Sequence, residues 1–271
     1  MFSLAFSPCP NDTFIFAALV NGWIDMEGLS FDYELADVEE LNMLAIKGRV
    51  DMIKVSFYAW LAMRDRYELL ESGSALGTGN GPLLIARKRI PLHRHTGNDT
   101  VAVYQMPDIR VALPGEHTTA HLLFNLAFPQ VTTKEFMVFN EIEDAVLSGV
   151  VDAGVIIHEN RFTYEQRGLI KLLDLGEFWE ERSASPIPLG GIIAKRHLGE
   201  ETLGKLNRIM RRSVQFAMKN PDQVMDFVKA HAQEMNEDVI RKHINLYVNR
   251  FTLDLGDDGS RAIQTLIDIY D

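Results

Sequence analysis

Two stretches of this chain, Ser3 to Ser56 and Arg110 to His158, repeat one order of apolar runs, loops and helix stops. Such self-similarity constrains a fold more than composition does, because each copy must build the same local unit. In the first copy, an apolar strand from Ser3 to Phe6 meets the loop Ser7-Pro8-Cys9-Pro10-Asn11-Asp12-Thr13 and an apolar helix from Phe14 to Val20. A strand near Phe31 to Leu35 then leads into an acidic helix start at Asp37-Val38-Glu39-Glu40, a helix stop at Lys47-Gly48 and a strand from Met52 to Val55 that ends at Ser56. In the second copy, Val111-Ala112-Leu113 meets the loop Pro114-Gly115-Glu116-His117-Thr118-Thr119 and an apolar helix through Phe128. A strand near Phe136 to Phe139, a helix start at Glu141-Ile142-Glu143-Asp144, a stop at Ser148-Gly149 and a strand from Gly154 to Ile157 that ends at His158 follow. Gly48, Val50 and Asp51 correspond to Gly149, Val151 and Asp152 at one offset: a glycine where a helix ends, then an aspartate in the turn before a strand.

Alternation of short apolar strands with helices reads as α/β, with mostly parallel sheets and helices on both faces. Ligands of such sheets bind beyond the carboxyl ends of the strands. Two similar lobes facing each other would share one cleft there, reached by the loop at 7–13, the strand end at 54–56, the loop at 114–119 and the strand end at 157–159. The stretch Gly77-Thr78-Gly79-Asn80-Gly81-Pro82 reads as the crossover, and Pro186-Ile187-Pro188-Leu189-Gly190-Gly191 as an irregular return. Residues 1–82 with 192–271 then form lobe one and 83–191 lobe two. After the return, Leu203 to Met218, Asp222 to Ala232, Asn236 to Tyr247 and Asp258 to Tyr270 read as helices, whereas Lys88 to Asp99 reads as an exposed loop.

The chain carries 27 basic and 38 acidic residues, a net charge of -11, so nucleic-acid or membrane binding is not expected. Its first apolar stretch has no basic residue ahead of it and is too short for a signal segment. No uncharged run reaches the roughly 18 residues that span a bilayer. The single cysteine, Cys9, excludes an intrachain disulfide. A cytoplasmic location is the expectation.

The candidate site residues sit at those loops and strand ends. Asn11, Asp12 or Thr13 can cap the helix after the first loop, whose free N–H groups and positive helix end suit a carboxylate or phosphate. Thr118 or Thr119 can cap the second helix and donate to a ligand oxygen. Alternation puts Lys54 and Ser56 on one face of their strand and Val55 on the other. A lysine in so apolar a strand either reaches the surface or meets an anion, and the anion reading implies a small anionic ligand. His158, at the mouth of a buried strand, is placed as a general base, with Glu159 or Asn160 near enough in sequence to orient the ring. The histidines show no metal spacing, and there is no phosphate-binding or dinucleotide motif.

The run Ser7 to Phe16, Lys54-Val55-Ser56, Gly77 to Pro82, Pro114-Gly115 with His117-Thr118-Thr119-Ala120, Ile156-Ile157-His158-Glu159, Arg161 to Tyr164, Pro188 to Gly191 and Tyr247-Val248-Asn249 together resemble 1,4-dihydroxy-6-naphthoate synthases of the futalosine route to menaquinone. The resemblance spans essentially the whole chain. It implies a periplasmic-binding-protein-like (type II) fold with a central interdomain cleft. It implies a carbon–carbon lyase that converts cyclic dehypoxanthine futalosine to 1,4-dihydroxy-6-naphthoate without metal or organic cofactor. It also implies His158 as proton acceptor, with Lys54-Val55-Ser56 and Thr119-Ala120 as substrate contacts. The alternatives are a cytoplasmic solute-binding protein, a chorismate dehydratase of the same fold, and an effector-sensing domain, for which no DNA-binding segment is present.

Overall fold

The computed structural model describes residues 1–96, 102–233 and 236–271. The chain forms two compact units, Met1–Gly77 with Pro188–Asp271, and Thr78–Ile187.

The first unit opens with β1 (Phe2–Phe6), α1 (Pro10–Val20), β2 (Phe31–Leu35), α2 (Val38–Ile46) and β3 (Met52–Ser56), followed by α3 (Phe57–Leu61), β4 (Tyr67–Leu69) and β5 (Ala75–Gly77). The second unit contains β6 (Leu83–Ala86), β7 (His93–Thr96), β8 (Ala102–Gln105), β9 (Val111–Leu113), α4 (Thr119–Ala127), β10 (Lys134–Phe136), α5 (Ile142–Ser148), β11 (Ala153–Ile156), β12 (Ile170–Asp174) and α6 (Leu175–Ser183). The chain re-enters the first unit along β13 (Ile187–Lys195) and ends in α7 (Glu200–Lys219), α8 (Pro221–His231), α9 (Glu237–Tyr247), α10 (Arg250–Leu253) and α11 (Gly256–Tyr270).

The internal repeat becomes a repeat of topology. The two sheets run β2-β1-β3-β13-β4 and β10-β9-β11-β6-β12, with β5 also on β13. In each, the repeated βαβαβ segment supplies three parallel strands. The remaining strands are antiparallel: β13 to β3, β4 to β13, β6 to β11 and β12 to β6. Both sheets are therefore mixed, not mostly parallel. The reason is where the crossing segments enter: Leu83 of β6 pairs with Ile156, and Gly190 of β13 with Ser56, so each starts where the parallel strands end and must run the other way.

Each repeat carries the same turn lock. Asp51 Oδ2 accepts from Ser3 N at 3.1 Å and Ser3 Oγ at 3.0 Å, and Asp152 Oδ2 accepts from Arg110 N at 2.9 Å. Ser3 and Arg110 hold equivalent places, each just before the residues of the central strand that pair with the strand after the aspartate.

Three expectations are corrected. The return at 186–191 is not irregular, because β13 runs through it. Its glycines are a packing requirement: a Cβ on Gly190 would lie 2.9 Å from Val55 O, and one on Gly191 2.6 Å from Leu69 Cδ1. The segment 88–99 is not all loop, since β7 pairs antiparallel with β8. Tyr104 anchors that ribbon against Phe128 and Phe178, with ring centroids 5.8 and 6.2 Å apart. Residues 97–99 of the expected loop lie outside the described residues. The strand expected near 136–139 sits at Lys134–Phe136, and a 3-10 turn follows.

Helix α1 is buried nearly all round, which its unbroken run from Phe14 to Leu19 foretells. It packs against α7, α8 and α9, and Ser213 ties it to α7 by donating to Ile15 O at 2.6 Å and accepting from Leu19 N at 3.2 Å. Phe6 stacks on Phe16 at 4.3 Å, joining this helix to β1. The second unit closes its own core around Leu83, Ile85, Ile142, Val146 and Ile156.

Candidate active site

In the first unit, the ends of β1 and β3 bring the loop at 7–13 beside Lys54, Val55 and Ser56. Helix α1 begins earlier than expected, at Pro10, with Cys9 as its N-cap residue and no side-chain cap. Asn11, Asp12 and Thr13 are thus first-turn residues, not caps. Proline suits that position because its missing N–H would be unpaired there anyway. Asp12 N and Thr13 N both donate to Cys9 O at 3.0 Å, so they are not free to hold an anion.

Asp12 has another task. Its carboxylate meets the Lys54 ammonium at 3.0 Å, with both side chains under 10% exposed. Ser7 Oγ donates to Asp12 Oδ2 at 2.7 Å, and Asn11 Nδ2 to Oδ1 at 2.9 Å. Lys54 Nζ also donates to Gly73 O at 2.9 Å. The expected anion is therefore a protein carboxylate: Lys54 is compensated from within, as a buried ammonium has to be. Since Asn11 Nδ2 faces Asp12, its Oδ1 faces buried His243, whose Nε2 donates across 2.8 Å. Thr13 Oγ1 donates to Cys9 O at 3.1 Å, back along its own helix.

Ser56 is held from α2. Asn42 Oδ1 accepts from Ser56 N at 2.9 Å, and Asn42 Nδ2 donates to Ser56 Oγ at 3.3 Å. Among the described residues, that leaves the Ser56 hydroxyl hydrogen available to a further acceptor. Val55, on the opposite face, is buried. Sequence reasoning missed Asn42 and His243. A polar residue within a buried helix face was the available signal for both.

In the second unit, β9 and β11 are parallel neighbours, so Thr118–Ala120 and His158 share one sheet edge. Thr118 caps α4, accepting from His121 N at 3.2 Å and donating to Gly115 O at 2.9 Å. Thr119 and Ala120 are buried in the first turn. His121 braces the loop through Nδ1–H to Glu116 O at 2.7 Å, and its Nε2 accepts from Asn125 at 3.0 Å. His158 stands two residues past β11 with φ +57°, left-handed backbone that is uncommon outside glycine. Its ring lies edge-on to Phe139 at 4.9 Å. Backbone held in such a region costs about 1–3 kcal/mol and clusters where function demands it. Sequence reasoning also left Asp174 unassigned. It caps α6 through Gly176 N at 2.8 Å and meets the Arg161 guanidinium at 3.6 Å.

Two α/β units, each a mixed sheet with candidate groups at one edge, define a protein of the periplasmic-binding-protein-like class. A Candida albicans protein described as having the generic periplasmic binding protein fold matches with a TM-score of 0.65 at 12% identity, over 99% of this chain and 89% of that one. A crystal structure from Archaeoglobus fulgidus matches with a TM-score of 0.89 at 30% identity, over 99% of this chain and 96% of that one. The chain belongs to the menaquinone biosynthesis family, whose profile matches residues 2–271. The 1,4-dihydroxy-6-naphthoate synthase of Thermus thermophilus is 45% identical over 263 residues, 97% of this chain and 91% of that protein. The enzyme of the same name from Streptomyces coelicolor is 43% identical over 269 residues, covering 97% and 90%.

Proposed function

We propose that this chain is a 1,4-dihydroxy-6-naphthoate synthase, a carbon–carbon lyase of the futalosine route that acts on cyclic dehypoxanthine futalosine in the cytoplasm. The observation that carries the reading is the end-to-end identity with two synthases of that name. Release of the aromatic bicycle requires proton removal, C–C cleavage and elimination, with aromatisation as driving force. His158 is the base that starts it. An imidazole takes up a proton near neutral pH, and a positioned base contributes about 10²–10⁴-fold. Ser56 and the turn at Thr118, Thr119 and Ala120 contact the anionic substrate. In this reading Asn11, Asp12, Thr13, Lys54 and Val55 shape the strand ends that present those contacts. No step is assigned to a metal or cofactor.

The test is incubation of purified protein with cyclic dehypoxanthine futalosine and detection of naphthoate by mass spectrometry, with His158→Ala alongside. Naphthoate from the wild type and at least 100-fold slower formation by the variant is the expected result. Equal conversion by both removes His158 from its role. Substrate bound but recovered intact by the wild type makes the chain a solute-binding protein instead.

A further inference from the structure

Asn80 lies in the glycine-rich stretch that leads into β6. The residue is 1% exposed, and neither Oδ1 nor Nδ2 has a hydrogen-bond partner among the described residues. Burying a carboxamide with neither end bonded is unfavourable, and native proteins rarely leave such a group without a reason.

The backbone around it is tied down on both sides. Gly79 N donates to Glu180 Oε1 at 2.7 Å, the Arg161 guanidinium donates to Gly81 O, and Leu175 N donates to Pro82 O at 2.9 Å. A side chain on Gly81 would collide with the backbone of Gly176, so that crossing cannot loosen without loss of packing. Arg161 in turn is held by Asp174. The turn is thus built to keep Asn80 where it is.

The register says which part of the sheet that is. Leu83 pairs with both Ile156 and Asp174. Asn80, three residues before Leu83, therefore belongs to the edge at which β11 delivers His158, two residues past Ile156. The chemistry narrows the ligand. A carboxamide offers donors and an acceptor side by side. A carboxylate only accepts and would leave Oδ1 facing another acceptor. A hydroxyl accepts from Nδ2 and donates to Oδ1, so a hydroxylated group satisfies both ends.

We propose that Asn80 is a specificity-determining residue that reads a hydroxyl of the substrate, not its anionic group. The inference rests on the synthase reading above. Asn80→Leu, similar in volume, removes both polar atoms. The expected result is an unchanged or raised melting temperature with kcat/KM for cyclic dehypoxanthine futalosine lowered about 10- to 100-fold. A substrate analogue lacking the hydroxyl that Asn80 reads should lose a similar factor with the wild type and little more with the variant. Should the leucine variant fail to fold, Asn80→Ala carries the same comparison. A lowered melting temperature with wild-type kcat/KM would make Asn80 structural and overturn the proposal alone. Absence of turnover by the wild type would sink the synthase reading and take this proposal with it.

Discussion

The Lys54–Asp12 pair turns an oddity of the sequence into a requirement. A lysine within Met-Ile-Lys-Val-Ser is tolerable only because Asp12 arrives from the first turn of α1 with Ser7 and Asn11 bonded to its other lone pairs. Breaking a buried pair by removing one partner costs about 3–5 kcal/mol, because the survivor keeps its desolvation penalty. Asp12→Ala should cost that much in urea denaturation, since Lys54 would keep Gly73 O alone among the described residues. Lys54→Met should cost less, because Asp12 keeps two donors, and the double variant should be more stable than Asp12→Ala. Near-additive losses would mean that the two charges do not compensate each other. The same residues are legible only in part in the sequence: an anion for Lys54 is readable from burial, but its source in the loop at 7–13 depends on a contact 42 positions away.

Among the elements, the repeated β-α-β-α-β segment and its aspartate lock make two copies of one device with unequal loads. Asp51 accepts three hydrogen bonds, two from Ser3 and one from Lys195 Nζ at 3.1 Å. Burial pushes its pKa up, but the bonds from Ser3 and Lys195 outweigh that and hold it below the usual carboxylate range. A depressed folded-state value adds stability above the ordinary carboxylate pKa, and that stability is lost as pH falls through the depressed value. Asp152 has the Arg110 N–H and a guanidinium at 4.0 Å on an exposed edge. Asp51→Ala should therefore cost roughly 2–3 kcal/mol at neutral pH and Asp152→Ala roughly 1 kcal/mol. The gap should narrow as the pH falls from the ordinary carboxylate pKa toward the depressed value of Asp51. Equal costs at neutral pH would contradict the asymmetry. The parallel half of each sheet was readable from strand-helix alternation. The antiparallel half was not, because β13 passes through Pro188, Gly190 and Gly191, which read as a loop until Val55 and Leu69 are seen to leave no room for a side chain.

For the whole molecule, the two units differ in how their chain is assembled. Residues 78–187 are continuous and hold their own sheet and core. Residues 1–77 depend on β13 for the sheet and on α7, α8 and α9 to cover α1. Expressed alone, 78–187 should show a cooperative thermal transition by circular dichroism, whereas 1–77 should not; the reverse would mean that the cores are misassigned. Repetition, apolar periodicity and helix stops were enough to define two α/β units and the loops at their strand ends, because these are local properties of φ/ψ preference and burial pattern. The resemblance of motifs added the proposed reaction and His158 as its proposed base. What local pattern could not supply was every feature made by distant segments: the left-handed backbone at His158, the Asn42 bridge to Ser56, His243 behind Asn11, and the unbonded carboxamide of Asn80. Hydrogen-bond partners and excluded volume come from whichever residues packing brings together, and that is decided in three dimensions.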